Sequence, residues 1–427
     1  MSAELYETVD VFLPGVGETL NQNVAAHWQA SESLTAQIYL GQLGQEEVLL
    51  HLSGLTAAQR RLLTERPVIV DAGWAHHVID GYGVRIPGIL VTPRGTVIAV
   101  CQQRVGSLAD GGHATNVLVT RSEDGGRNWT RQEVLFAEEG INTFLGPILA
   151  DRFTNDVFVT FWKLPQAEGN GLGYFAPYAE MGGGFWMVRS SDEGQSWSEP
   201  YFVRPAPNAE GWVAWVNNSS RGVQLARGPR AGRHVIAGFL FKAGEEGQAP
   251  GVRGGLVYSD DHGETWHAGA VLPAGSDELV LEETEDGGIY VNYRKNRPYY
   301  NGLRWFARSS DYGESFDDHG QHEEQVTPCC HVGLVRYSST DAHGENVLLF
   351  SNPRGPARRN LTVRVSRDDG RTWPVSRTVT SDLAGYSDLS VLPDKTILCI
   401  WEGGTQRYHE KISAARFNLD WVLAGDH

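Results

Sequence analysis

Residues 366–373 read Ser366-Arg367-Asp368-Asp369-Gly370-Arg371-Thr372-Trp373, and the same skeleton, Ser-x-Asp-x-Gly-x-x-aromatic, occurs four more times. The other copies run from Ser122 to Trp129, Ser190 to Trp197, Ser259 to Trp266 and Ser309 to Phe316, with starts 68, 69, 50 and 57 residues apart. Self-similarity on that scale is the signature of a repeat architecture. Each copy follows an alternating apolar run, such as NVLVTRS (116–122), FWMVRSS (185–191) or LTVRVS (361–366), and precedes another short run. That is the pattern of two strands joined by a turn. Within the turn, Asp124, Asp192, Asp261, Asp311 and Asp368 can accept backbone N–H groups of their own loop, and the glycine two places on tolerates positive φ. The closing aromatic packs between sheets. These aspartates therefore read as folding punctuation, not catalysts.

Units of about four short strands at this spacing fit the blades of a β-propeller, in which radial repetition leaves only short, protected edges. Five boxes fit six blades if one blade lacks the motif. The expected fold is thus all-β: a six-bladed β-propeller over residues 71–427, with a short N-terminal β-rich extension over residues 1–70. Within the extension, HWQASESLTAQIYLG and EEVLLHLSG read as strands and TAAQRRLLTERP as a short helix closed by Pro67.

Composition agrees. Hydrophobic residues make up 41% of the 427 positions, with 13 Trp, 15 Tyr and 15 Phe to build a core, while 50 Gly and only 3 Met favour strands and turns over helices. The net charge of −16 disfavours nucleic acid and anionic membrane surfaces as partners, since both would be repelled. An anionic substrate would need locally concentrated arginine. The four cysteines, Cys101, Cys329, Cys330 and Cys399, lack the spacing of a disulfide scaffold or zinc site, and a reducing compartment suits them. The opening MSAELYETVDVFLPG carries acids where a signal peptide needs basic residues, so a cytoplasmic location is expected.

The turn motif resembles the Asp box of sialidases, a box that several unrelated propellers also carry, so it identifies no function alone. More specific marks follow in order: Tyr82-Gly83-Val84-Arg85-Ile86-Pro87, which resembles the Arg-Ile-Pro motif opening the sialidase catalytic domain; RGVQLARGPRAGRHV (221–235); Cys330-His331-Val332-Gly333-Leu334-Val335-Arg336; FSNP (350–353) with the basic cluster after it; and GYSDLSVLPDKTILCIWEGG (385–404). The resemblance, to sialidases of glycoside hydrolase family 33, covers residues 80 to 405 or so.

It implies a site and a reaction. The anomeric carbon of a sialic acid bears a carboxylate, and arginine offers that anion two parallel hydrogen bonds. In the family three arginines do so. Arg85 matches the first by its Ile-Pro context, Arg294 the second in GGIYVNYR, and Arg358 the third in RRNLT, with its neighbour Arg359 as the alternative. Glu402, in IWEGG, matches the carboxylate that orients the first arginine, and Arg104 resembles a further site arginine. A carboxylate nucleophile would approach a carbon already bearing an anion, and sialidases are the glycosidases that use tyrosine instead. Tyr386 in GYSDL matches that nucleophile, and Glu278, 16 residues before Arg294, matches its base. Asp110 stands where the family carries its acid/base, though 12 residues separate it from the box serine Ser122, one more than the resemblance leads one to expect; His113 is the replacement candidate. Val100-Cys101-Gln102-Gln103 and His331 depart from the familiar pattern, His331 standing where relatives often have Gln, so the substituent pocket is expected to differ.

The expected function is a retaining exo-glycosidase that hydrolyses terminal α-ketosidically linked sialic acid from glycans, with no metal and no cofactor. Two alternatives remain open: the same mechanism on another ulosonic acid, deaminated sialic acid or Kdo, and a noncatalytic glycan-binding propeller.

Overall fold

A computed structural model describes residues 37–39, 47–49, 68–71, 82–106, 113–166, 183–216, 220–242, 253–296 and 299–425. These residues are almost all strand and turn; the helices among them are the short segments Thr340–His343 and Leu419–Leu423, with a 3-10 turn at Gly228–Arg230. The all-β reading of the sequence holds. The helix expected before Pro67 lies outside the described residues, as does most of the glycine- and tyrosine-rich stretch 169–186.

The strands form antiparallel meanders. Tyr82–Val91, Val97–Val105, Thr115–Ser122 and Glu133–Phe136 pair in sequence, and Ile141–Ala150, Val157–Pro165, Phe185–Ser190 and Tyr201–Val203 do likewise. One parallel pair, Thr115 with Asn142, joins these two meanders. Next come Trp212–Trp215, Val223–Gln224, His234–Lys242, Arg253–Ser259 and His267–Val271, then the sheet Ser276–Glu283, Ile289–Lys295, Leu303–Ser309 and Asp318–Val326. Gly333–Ser338, Val347–Pro353, Arg359–Ser366, Val375–Val391, Ile397–Gly404 and Lys411–Phe417 complete the order, with Val68–Asp71 paired on the last of them. The 17-residue strand Val375–Val391 serves two ladders: its first part pairs with Arg359–Ser366 and its second with Ile397–Gly404.

Each meander packs its alternating apolar residues on the next. Val100 and Val119 meet Leu145 and Val159; Leu149 and Phe158 meet Ile236 and Val257; Val235 and Leu256 meet Leu281 and Val291; Val280 and Tyr290 meet Leu348 and Phe350. The first and last meanders share a core as well, with Val84, Ile89 and Ala99 against Leu398, Ile400 and Ala414. Strands apolar on both faces are what such face-to-face packing requires.

The Ser-x-Asp turns behave as their chemistry demands. In the Ser366 turn, Ser366 Oγ donates to Asp368 Oδ1 (2.7 Å) and accepts from Gly370 N (2.8 Å), while Asp368 Oδ1 accepts from Thr372 N (2.9 Å) and Oδ2 from Thr372 Oγ1 (2.6 Å). Gly370 has φ 79°, and a Cβ there would lie 2.6 Å from the Tyr290 ring. One feature exceeds the sequence reading: the residue before the turn glycine is left-handed too, at Gly125, Glu193, His262, Tyr312 and Asp369.

Candidate active site

The site begins at an irregularity. Ile86 has φ 60°, and the register between Tyr82–Val91 and Val97–Val105 slips between Arg85 and Gly88, so Pro87 sits in a bulge where no ladder N–H is needed. The bulge turns Arg85 and the Ile86 N–H toward one carboxylate: Glu402 Oε1 accepts from Arg85 Nε (2.6 Å) and from Ile86 N (2.8 Å). Glu402 Oε2 accepts from Tyr386 N (3.2 Å). A Cβ on Gly385 would lie 2.3 Å from that same oxygen, which explains the glycine before Tyr386. Burial would push the Glu402 carboxyl up, but Arg85 and the Ile86 N–H hold it below its ordinary value. Arg85 stays firmly charged: burial opposes the charge and Glu402 outweighs it.

A second irregularity prepares the opposite wall. Adjacent residues of a strand normally face opposite ways. The ladder between Ser276–Glu283 and Ile289–Lys295 slips between Ser276 and Leu279, and both Asp277 and Glu278 address Arg294. Asp277 Oδ2 lies 2.6 Å from Arg294 Nε and 2.6 Å from Nη2, and Glu278 Oε2 lies 3.1 Å from Nη1. Arg294 Nη1 also donates to the Cys329 carbonyl (2.8 Å), which accepts from Arg358 Nη2 (3.2 Å) as well. Cys329, at φ 57°, thus offers one carbonyl to two arginines.

Tyr386 stands among these groups. Its hydroxyl donates to Glu278 Oε1 at 2.6 Å and accepts from Arg294 Nη1 at 3.2 Å. The guanidinium carbons of Arg85, Arg294 and Arg358 lie 5.6, 6.0 and 5.5 Å from its ring centroid. Burial pushes Glu278 up to about 7 against the pull of Arg294. Burial also raises the Tyr386 phenol well above its ordinary value, Arg294 opposing and Glu278 adding to the rise. The resting phenol therefore holds its proton, beside a carboxyl half-titrated near neutrality. Three guanidinium groups around one phenol suit an anion, and the carboxylate hydrogen-bonded to that phenol can accept its proton.

The structure brings together Arg85, Glu278, Arg294, Arg358, Tyr386 and Glu402. Arg104 is buried one strand away, opposite Gly83, and donates to Gln102 Oε1 (3.4 Å). Of the two candidate third arginines, Arg358 reaches over the rings of Tyr386 and Tyr408, whereas Arg359 is exposed at the start of its strand. Asp110 lies outside the described residues; the alternative donor His113 precedes the strand Thr115–Ser122.

Several participants escaped the sequence reading. Asp277 was readable only as the acid beside Glu278. Tyr408 faces both Arg85 (5.5 Å) and Arg358 (4.5 Å) with no motif to mark it. The Cys329 carbonyl is backbone and carries no sequence signal.

Comparisons with known proteins bear on the family. The model of the BNR repeat-like domain family matches residues 95–400. A sialidase of Micromonospora viridifaciens is 33% identical over 83% of this chain and 55% of its own length, and one of Bacteroides fragilis is 27% identical over 74% and 59%. The chain thus spans little more than half the length of these curated relatives. Among solved structures, a Hadza microbial sialidase aligns with TM-score 0.69 at 23% identity, over 83% of this chain and 69% of that one.

Proposed function

Because this chain belongs to the BNR repeat-like domain family, within the sialidase superfamily, we propose that it is a retaining exo-α-sialidase built on a six-bladed propeller, acting on terminal sialic acid of glycans. In this reading the catalytic unit is residues 71–427 and residues 1–70 precede it, with the strand Val68–Asp71 pairing on Lys411–Phe417 across that boundary. The observation that carries the activity is the 2.6 Å hydrogen bond from Tyr386 to Glu278 inside a ring of three guanidinium groups.

In this reading Arg85, Arg294 and Arg358 bind the substrate carboxylate, with Glu402 and Asp277 holding the first two. As the glycosidic C–O bond breaks, Tyr386 Oη bonds to the anomeric carbon and Glu278 takes the phenol proton. The departing oxygen takes a proton from Asp110. A water then attacks the same carbon and gives its proton to Asp110, while the tyrosyl oxygen leaves and recovers its proton from Glu278. Two displacements at one carbon retain configuration. Glu278 can assist as the new bond forms, because a base near 7 is still unprotonated in useful amount at neutral pH. A neutral phenol also avoids driving one anion toward another.

Replacing Tyr386 by Phe should remove most turnover of a fluorogenic N-acetylneuraminic acid glycoside, while calorimetric binding of N-acetylneuraminic acid stays within about threefold, since the clamp is untouched. Unchanged turnover in that protein would refute the nucleophile. The deaminated analogue run alongside separates the sugar from the mechanism: turnover of the analogue alone keeps the chemistry and moves the substrate.

A further inference from the structure

Behind the Tyr386–Glu278 pair sits a side chain that the mechanism above does not use. His331 is 1% exposed, and neither ring nitrogen has a hydrogen-bond partner among the described residues. Its ring centroid lies 5.8 Å from that of Tyr386, and its Nδ1 faces Glu278 Oε2 at 3.9 Å. That oxygen is buried too, paired with Arg294 Nη1 as an ion pair but outside hydrogen-bond geometry. Buried polar atoms are nearly always satisfied, so two unsatisfied atoms facing each other beside a reacting pair call for an explanation. The backbone around His331 is anchored: the Cys329 carbonyl accepts from Arg294 and Arg358, and the Cys330 carbonyl from Arg304 (3.1 Å). The backbone that carries the ring is therefore held in place.

We propose that His331 is a positioning residue for the base: its imidazole donates from Nδ1–H to Glu278 Oε2, which keeps Glu278 Oε1 in line with the Tyr386 hydroxyl. The inference rests on the tyrosine-nucleophile reading. The phenol proton arrives at Oε1, the oxygen already 2.6 Å from the hydroxyl, so Oε2 remains an acceptor throughout and a donor suits it in both states. A closure of about 1 Å brings Nδ1 within hydrogen-bond range. The charged and titratable groups around the pair are Arg294, Arg358, Asp277 and Tyr386 at Glu278, and Arg304 and Arg294 at His331. Burial and these two arginines keep the imidazole from protonating, so it acts as a neutral donor and does not compete as a base.

The test is the pH profile of kcat/KM for the full chain on the fluorogenic N-acetylneuraminic acid glycoside, whose leaving group needs little acid assistance. His331→Phe keeps a ring and loses the donor; His331→Gln restores an N–H. A donor stabilises the ionised carboxyl, so its loss should move the acid limb up by about one pH unit and lower the rate at pH 7 about fivefold. The glutamine protein should return the limb to within a few tenths of a unit. His331→Leu makes the same comparison should the phenylalanine protein fail to fold. A rate reduced equally at every pH with the limb unmoved, or a glutamine protein no better than the apolar ones, would overturn the proposal. Tyr386→Phe is assayed beside them: activity there refutes the nucleophile itself, whereas a dead Tyr386→Phe with an unmoved limb in the His331 proteins refutes only the role of His331.

Discussion

Glu402 concentrates the site's logic in one side chain. It accepts from Arg85, from Ile86 N and from Tyr386 N, so a single carboxylate sets Arg85, the bulge and the strand that carries Tyr386 relative to one another. Glu402→Gln would leave the Arg85 charge buried with a neutral partner, a change that costs about 3–5 kcal/mol when a buried pair is broken. Chemical denaturation should register that loss, and KM for the sialoside should rise at least about tenfold; an unchanged midpoint and KM would contradict this account. The two site glutamates act oppositely on stability. Glu402 is held below its ordinary value, so its contribution is present above the unfolded carboxylate pKa and is lost as pH falls through the lower folded one. Glu278 is raised to about 7, so stability from this group falls as pH climbs from the ordinary carboxylate value to about 7. At this scale the motif contexts were legible, because Ile-Pro marks the bulge at Arg85 and Gly marks the close approach at Tyr386. Asp277 was not, because strand alternation would send it away from Glu278, and only the register slip between Ser276 and Leu279 reverses that.

The turns do more than reverse the chain. Their left-handed residues reach across to neighbouring segments: Glu193 Oε2 accepts from the Thr92 hydroxyl, His262 Nδ1 lies 2.7 Å from Asp151 Oδ2, the Tyr312 carbonyl accepts from Arg233 Nη1 (3.1 Å), and Asp369 Oδ2 accepts from Glu285 N (3.1 Å). Each of these four turns is thus both a local clasp and a fastener between meanders. Asp311→Ala removes the acceptor for Ser309 Oγ, Glu314 N, Ser315 N and Ser315 Oγ, and should cost about 2 kcal/mol. Thermal denaturation should show the loss, while kcat and KM at 25 °C stay unchanged because the turn touches no site residue. A fall in kcat without a fall in Tm would give that aspartate a role denied to it here. Asp311 is held below its ordinary value, the bonds from Ser315 outweighing burial, so its contribution disappears on acidification. The serine, aspartate and glycine of these turns announced themselves in sequence; the reach of the residue between Asp and Gly did not, since that position varies from Gly to Glu, His, Tyr and Asp.

Across the whole molecule, the first strand of the first meander is tied to the last strands of the chain at the site through Arg85 and Glu402, and deeper through Ile89 N donating to Asp388 Oδ2 (3.0 Å) and Val91 N to Ser390 Oγ (3.1 Å). Val68–Asp71 adds a strand to Lys411–Phe417, with Val68 opposite Arg416 and Asp71 opposite Ser413. Such ties between chain ends make the assembly depend on long-range closure. A chain beginning at Val68 should fold and turn over substrate like the full one, whereas a chain beginning at Gly83 would lose the outer strand and melt several degrees lower, as scanning calorimetry would reveal. Equal melting of the two would deny that strand a share in stability.

Local chemistry decided the repeat, the strand-rich character and the turn geometry, because alternating apolar runs and Ser-x-Asp-x-Gly act within a dozen residues. It also marked Arg85, Tyr386 and Glu402 through neighbours that answer to steric demands of their own backbone. What tertiary structure alone decided is convergence: Glu278 and Tyr386 are 108 positions apart yet joined by one hydrogen bond, and Arg85 and Glu402 are 317 apart. Partners with no local signature, the Cys329 carbonyl, the Tyr408 ring and the His331 imidazole, acquire meaning only from that convergence. The raised affinity of Glu278 for its proton arises the same way, from burial between segments that no stretch of sequence contains together.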